Sequence, residues 1–200
     1  MRFPLPPHPD IDKSDWGEGP WQHEPDAVSW TDSRTGLHCA MIRHELFGCW
    51  LGYVAVEPGH PLHGRRYGDR IEVPPEILDR ERMLGRDFGI MELWINAHHD
   101  DGTWDISLLL PAHGSITFSD EDTEGFWWFG FDCCHAYDLS PGLAASVSKR
   151  FGSRFFDRDE TYRDHDYVYG IVTRLAWALQ ELRTLLMPQK EGGTPNAQTQ

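Results

Sequence analysis

The stretch FWWFGFDCCHAYD, Phe126–Asp138, sets six aromatic or glycine residues ahead of a run of polar, reactive side chains. Strand side chains alternate, so Phe126, Trp128 and Gly130 point one way and Trp127, Phe129 and Phe131 the other. Both sets are apolar, which predicts an interior strand covered on both faces. Asp132, Cys133, Cys134, His135 and Asp138 follow it. A rigid strand that delivers carboxylates, thiols and an imidazole to one edge of a sheet is a common way to build a site.

Working outward, residues 1–20 are rich in Pro, Gly and Asp and read as an extended arm, pinned to the body by Trp16 and Trp21. Residues 21–187 form the expected domain, and residues 188–200 a flexible polar tail. An antiparallel meander is predicted from Ala27–Thr31, Leu37–Arg43 and Cys49–Val56, with a turn at Asp32–Gly36. Leu37, Cys39 and Met41 should share one face. The loop Glu57–Gly64 carries Pro58, Gly59, Pro61 and Gly64 and presents His60 and His63.

Pro74-Pro75-Glu76 opens a short helix running to Leu84. Ile90–Asn96 reads as a strand, His98–Gly102 as a hairpin loop, and Trp104–Leu110 as the returning strand. Ser119–Gly125 is acidic and solvated, Leu139–Phe151 is a turn and short helix, and Phe151–Glu160 a loop. The clearest helix carries Val168, Val172, Leu175, Leu179, Leu182 and Leu186 at spacings of four and three, one apolar stripe. Thr161-x-x-Asp164 fits a capping box at its start, and Pro188 ends it. Gly170 is a weak point or a place of close packing. The stripe is core, or a seam for self-association that would make a homo-oligomer. The fold class expected is α+β: a single domain, a mostly antiparallel sheet packed against a long C-terminal helix.

Composition narrows the function. Thirty-two acidic against 18 basic residues give a formal net charge of -14. That excludes a broad nucleic-acid or anionic-membrane surface, while leaving room for a small anionic ligand held locally. The four cysteines, 39, 49, 133 and 134, lack C-x-x-C spacing. With no apolar leader and no stretch of membrane-spanning length, they predict a cytoplasmic protein with reduced thiols.

The chain resembles a family of uncharacterised proteins of bacteriophages and actinobacteria. The resemblance is carried by Gly52-Tyr53-Val54, Gly59-His60-Pro61-Leu62 with Gly64, and His113-Gly114 with Ile116-Thr117 and Ser119. It continues through Trp127–Cys133, His135 and Asp138, and then Tyr162-Arg163-Asp164 with Tyr167-Val168. It spans residues 16–187. The family pattern differs at three positions, with Gly at Ser115, a small residue at Cys134 and Gly at Tyr137. What the resemblance implies is a setting, either action against host defence or nucleotide metabolism.

The candidate catalytic residues are His113, Asp132, His135 and Asp138. A base for hydrolysis near neutral pH is usually histidine, and a carboxylate beside it orients the ring. His113 or His135 would be the base, with Asp132 and Asp138 orienting it. His60 and His63 would line the entrance, with Ser119, Trp128 and Cys133 as further ligand-binding residues. Trp128 shares a strand face with Asp132 and is the candidate for stacking on a base. Cys133 reads as a small core residue or as a nucleophile with His135 as base. Zinc or manganese could be held by these residue types, but no H-x-x-x-H or H-E-x-x-H motif is present, so metal status stays open. Each grouping also has a structural reading, with Asp132 capping a turn and the histidines packed on neighbours. The leading function is a hydrolase acting on a small polar or nucleotide-like substrate. The alternatives are a non-catalytic sponge for a nucleotide signal and an acidic interaction protein.

Overall fold

The computed structural model describes residues 11–73, 102–152 and 159–187. Five strands form one antiparallel sheet: β1 (Ala27–Thr31), β2 (His38–Arg43), β3 (Trp50–Val56), β6 (Phe118–Glu121) and β7 (Trp127–Asp132), in the order β1-β2-β3-β7-β6. The short strands β4 (Arg70–Glu72) and β5 (Thr103–Asp105) pair separately. Helix α1 is Ile106–Leu109, α2 is Pro141–Phe151 and α3 is His165–Leu186. This is the α+β domain expected, an antiparallel sheet with the long C-terminal helix packed on it.

Alternation sorts the sheet into two faces. Cys39, Met41, Trp50, Val54, Val56, Phe129 and Phe131 are buried with Val168, Ile171, Val172, Leu175, Leu179 and Leu182 of α3. Each such large side chain contributes about 1.5–3 kcal/mol relative to exposure. The stripe of α3 is therefore core within the chain, not a seam for a second copy. The opposite face buries Ala40, Tyr53, Ala55 and Trp128, with Ile42, Leu51, Phe118 and Phe126 packed against them. β7 is interior, between β3 and β6, as its two apolar faces predict.

Two glycines let aromatic rings cross that strand pair. Gly52 faces Phe131 and Tyr53 faces Gly130. A Cβ on Gly52 would stand 2.5 Å from the Phe131 ring and 2.7 Å from Val172, and one on Gly130 would stand 2.4 Å from the Tyr53 ring. Gly52 is thus where the helix closes on the sheet.

Several local expectations are corrected. Trp104–Leu110 is not one strand. Asp105 accepts hydrogen bonds from the Ser107 N–H (2.8 Å) and hydroxyl (2.7 Å), and that cap turns the chain into α1. The cap of α3 is Asp164, which accepts from the Tyr167 N–H at 2.9 Å. Thr161 is instead bridged to Asp138. Gly170 faces open space and marks no close packing. Cys49 and Cys134 form a disulfide, against the expectation of four reduced thiols, while Cys39 and Cys133 are free and buried. The helix expected to end at Leu84, the strand Ile90–Asn96, the loop at His98–Asp101, the first ten residues and the tail 188–200 lie outside the described residues.

The segment before β1 is fastened by Lys13, whose ammonium bonds the Trp21 and Glu24 carbonyls and pairs with Asp26 at 2.6 Å. Trp21 is buried edge-on to Tyr162, and Trp16 lies against the positions of Gly48 and Gly142. Beside them Arg43, its side chain 0% exposed, bonds Glu24 (2.8 Å), Asp26 (2.7 Å), the Gly48 carbonyl (2.9 Å) and the Tyr162 hydroxyl (2.8 Å). Glu24 also accepts from Tyr162, Trp50 and the His165 N–H. Burial alone would raise the Glu24 carboxyl. The bonds from Tyr162, His165, Arg43 and Trp50 outweigh burial and hold it below the ordinary value.

A lowered carboxyl adds stability that is full at neutral pH and lost as the pH falls below the ordinary glutamate value of about 4.3. Glu24→Ala should therefore cost about 3–5 kcal/mol at neutral pH, because it leaves Arg43 buried with one carboxylate fewer. Urea denaturation at stepped pH checks this: the gap between variant and wild type should narrow on the acid side.

Candidate functional site

The site forms where three segments meet: the loop between α1 and β6, the end of β7 with the turn after it, and the entry to α3. Asp138 is its centre, with a side chain 2% exposed. Its Oδ2 is 2.6 Å from His113 Nε2 and accepts from the His135 N–H at 3.1 Å. Its Oδ1 accepts from Arg163 Nε at 2.8 Å. Burial alone would raise this carboxyl. Hydrogen bonds from Arg163, His113 and His135 more than offset burial and keep it below its ordinary value.

The two imidazoles lie with ring centroids 5.2 Å apart. His113 Nδ1 is 2.9 Å from the Tyr167 hydroxyl on the first turn of α3. His135 is the more open ring, 38% exposed, with Nδ1 3.6 Å from Asp138 Oδ2 and Nε2 3.9 Å from Asp132 Oδ1. Gly114 permits this approach. Its φ is 74° and a Cβ there would stand 2.8 Å from the His135 ring. The Tyr167 phenol is raised, chiefly by burial, against the lowering pull of Arg163.

Asp132 joins this cluster to a groove on the sheet face opposite α3. Its Oδ1 accepts from the Cys134 N–H (3.1 Å) and its Oδ2 from the Thr117 hydroxyl (3.1 Å). The groove encloses about 330 Å³ and is lined by His44, Phe47, Leu51, Tyr53, Phe118 and Asp132, among others. Two aromatic pairs frame it. His44 stacks on Phe47 with centroids 4.3 Å apart, and Tyr53 meets Phe118 edge-on at 5.5 Å.

The four candidate catalytic residues, far apart along the chain, do converge. The orienting carboxylate is Asp138, with Asp132 at the margin. Of the five candidate ligand-binding residues only Cys133 lies beside them, and it is buried. His60 is buried: its Nε2 bonds the Leu179 carbonyl at 2.9 Å and its Nδ1 accepts from the Leu62 N–H at 3.1 Å. Leu179 lies twelve residues along α3 from Tyr167, about 18 Å at 1.5 Å per residue. His60 therefore fastens its loop to the helix rather than lining an entrance. His63 Nε2 bonds the Gly125 carbonyl at 2.9 Å, and Ser119 accepts from the Tyr67 N–H at 3.0 Å, both holding turns. Trp128 is buried with its N–H on Asp122 (2.8 Å), so its face is closed to stacking. Cys133 is buried, and its thiol is pushed far up by burial and then by Asp138 and Asp132, with Arg163 pulling only weakly down. It is a core residue, not a nucleophile.

Arg163, Tyr167, His44, Phe47 and Thr117 were not singled out from the sequence as site residues. Arg163 and Tyr167 lay in the Tyr162-Arg163-Asp164 and Tyr167-Val168 signatures, which read there as the start of a helix. His44 and Phe47 lie between two strand signals and carry no periodic signal of their own. No known protein family, curated protein or solved structure matches the chain.

Two predictions follow the turn at 133–138. Tyr137 is the one non-glycine residue at positive φ (73°) among the described residues, and its side chain is exposed. Tyr137→Gly should relieve strain of about 1 kcal/mol without loss of packing, raising the urea midpoint. The Cys49–Cys134 disulfide ties the residue before His135 to the start of β3 across 85 residues. Reduction should cost about 2–4 kcal/mol, seen as a lower melting temperature, and should increase amide exchange at His135.

Proposed function

We propose that the chain is a hydrolase whose His113–His135–Asp138 cluster activates water against a small, flat, polar substrate held in the adjoining groove. One observation carries the reading: two imidazoles converge on a buried carboxylate, and Asp132, 3.9 Å from His135 Nε2, also lines an aromatic-walled groove. His135 is the exposed member and the natural acceptor of a proton from water. The hydroxide attacks the substrate, and the imidazolium returns the proton to the leaving group.

The groove narrows the substrate. Its aromatic pairs suit a planar ring of nucleobase type, and Asp132 suits a ring bearing N–H donors. Arg163, the cation at the cluster, is already paired with Asp138. Charge therefore favours a nucleoside-like substrate over one whose recognition rests on phosphate. A phage-type role in nucleotide metabolism or against host defence belongs to this proposal, whereas the cytoplasmic setting expected of reduced thiols stands against the Cys49–Cys134 disulfide. Among the described residues no helix is long and apolar enough to cross a membrane.

The test is incubation of the purified chain with a panel of nucleosides and nucleotides, followed by chromatography of products. A hydrolase should release product, and His135→Ala should lower turnover at least about 100-fold with the melting temperature unchanged. A ligand that is bound but recovered intact after heat denaturation would replace this reading with that of a sponge. Turnover equal to wild type in His135→Ala would sink it.

A further inference from the structure

We propose that His113, His135 and Asp138 form a binding site for one divalent transition-metal ion, with His113 Nε2, His135 Nδ1 and Asp138 Oδ2 as its donors. One donor atom from each residue lies within 4.8 Å of the other two. The facing pairs are 2.6 Å apart (His113 Nε2 to Asp138 Oδ2) and 3.6 Å apart (His135 Nδ1 to Asp138 Oδ2). Donors sharing one ion tetrahedrally at bond lengths of about 2.0–2.2 Å stand about 3.3–3.6 Å from each other. The His135–Asp138 separation already meets that range, whereas His113 Nε2 and Asp138 Oδ2 must part by about 0.7 Å and the two imidazole nitrogens, within 4.8 Å of each other, must close, so an ion needs side-chain shifts of up to about an ångström.

The outer contacts carry the argument beyond proximity. A ligating imidazole presents one nitrogen to the metal and donates its other N–H to an acceptor that orients the ring. His113 Nδ1 faces the Tyr167 hydroxyl at 2.9 Å, and His135 Nε2 faces the Asp132 carboxylate at 3.9 Å. Asp138 Oδ1 is held by Arg163 at 2.8 Å, while Oδ2 faces the imidazoles and also accepts from the His135 N–H at 3.1 Å. His113 and Asp138 thus have outer partners at hydrogen-bond distance, whereas Asp132, at 3.9 Å, reaches His135 Nε2 only if the ring turns toward it. Two nitrogens and one carboxylate oxygen suit zinc, manganese or iron(II), and three protein donors leave positions open to water or a ligand. The surplus of negative charge on the chain favours a cation. No sequence motif marks the site, because its donors come from two loops rather than from one helix.

The rival arrangement is a plain hydrogen-bonded dyad, with a proton on His113 Nε2 shared with Asp138. Binding decides between them, independently of turnover. The full-length protein, treated with chelator and then dialysed, is titrated with Co²⁺ and with Zn²⁺, following heat and the visible Co²⁺ spectrum. The expected result is one equivalent bound, with no thiolate charge-transfer band because no cysteine takes part. His135→Ala should weaken binding at least about 100-fold, and Asp132→Asn and Tyr167→Phe about 10–100-fold. Circular dichroism checks each fold, and the partly exposed His135 keeps the test open should His113→Ala not fold. No saturable binding to the wild type, or equal binding by wild type and His135→Ala, overturns the proposal. The inference does not rest on the hydrolytic reading. One-equivalent binding without turnover keeps the site and removes the reaction, whereas turnover by the metal-free protein with no binding does the reverse.

Discussion

Four consecutive residues bring the chain into its long helix, and each is anchored to a different part of the molecule. The Thr161 N–H bonds the Tyr137 carbonyl and its own carbonyl accepts from Leu139. Tyr162 reaches Glu24 and Arg43, Arg163 reaches Asp138, and Asp164 caps the helix. Adjacent side chains in an extended segment point apart, so Tyr162 and Arg163 enter two separate buried ionic centres. The position of α3 on the sheet is therefore tied to both. A shift of the helix would break a desolvated ion pair on one side or the other, which is expensive where the charges are buried.

The candidate site is a by-product of that clamp. Asp138 is buried because the turn after β7 is stitched to Thr161, and it is charged because Arg163 arrives on the neighbouring residue. A buried carboxylate with one oxygen committed to a guanidinium has the other available, and both imidazoles gather there. The disulfide from Cys134 to Cys49 and the glycine at 114 set how closely His135 can approach. The groove beyond Asp132 belongs to the other sheet face, so one strand end serves a polar cluster and an aromatic slot together. Asp132 is the residue that the two have in common.

Much of this was legible from residue order. The three-strand meander, the two-faced β7 and the stripe of α3 all follow from side-chain periodicity, which local geometry dictates. Convergence of His113, His135 and Asp138 is expected from residue order only through a strand Trp104–Leu110 beside β7, which does not form; the loop after α1 brings His113 there instead. His60 and His63 were read as entrance residues because a Pro/Gly loop looks exposed in one dimension. Their fate depended on which carbonyls the fold brought near, Leu179 and Gly125, 119 and 62 residues away. Trp128 likewise has the right strand face for stacking, but it is buried with Ala40, Tyr53 and Ala55.

The amino-acid sequence by itself determined the antiparallel sheet, the helix that covers it and the strand that ends in reactive side chains. These depend on hydrophobic period and turn chemistry, which act over a few residues. Only the tertiary structure decided that Asp138 rather than Asp132 is the central carboxylate, that Arg163 and Tyr167 stand behind it, and that Cys134 pairs with Cys49. Those choices are contacts between residues 25 to 85 positions apart. No local pattern encodes them, because the free energy of such a pairing depends on what else is buried beside it.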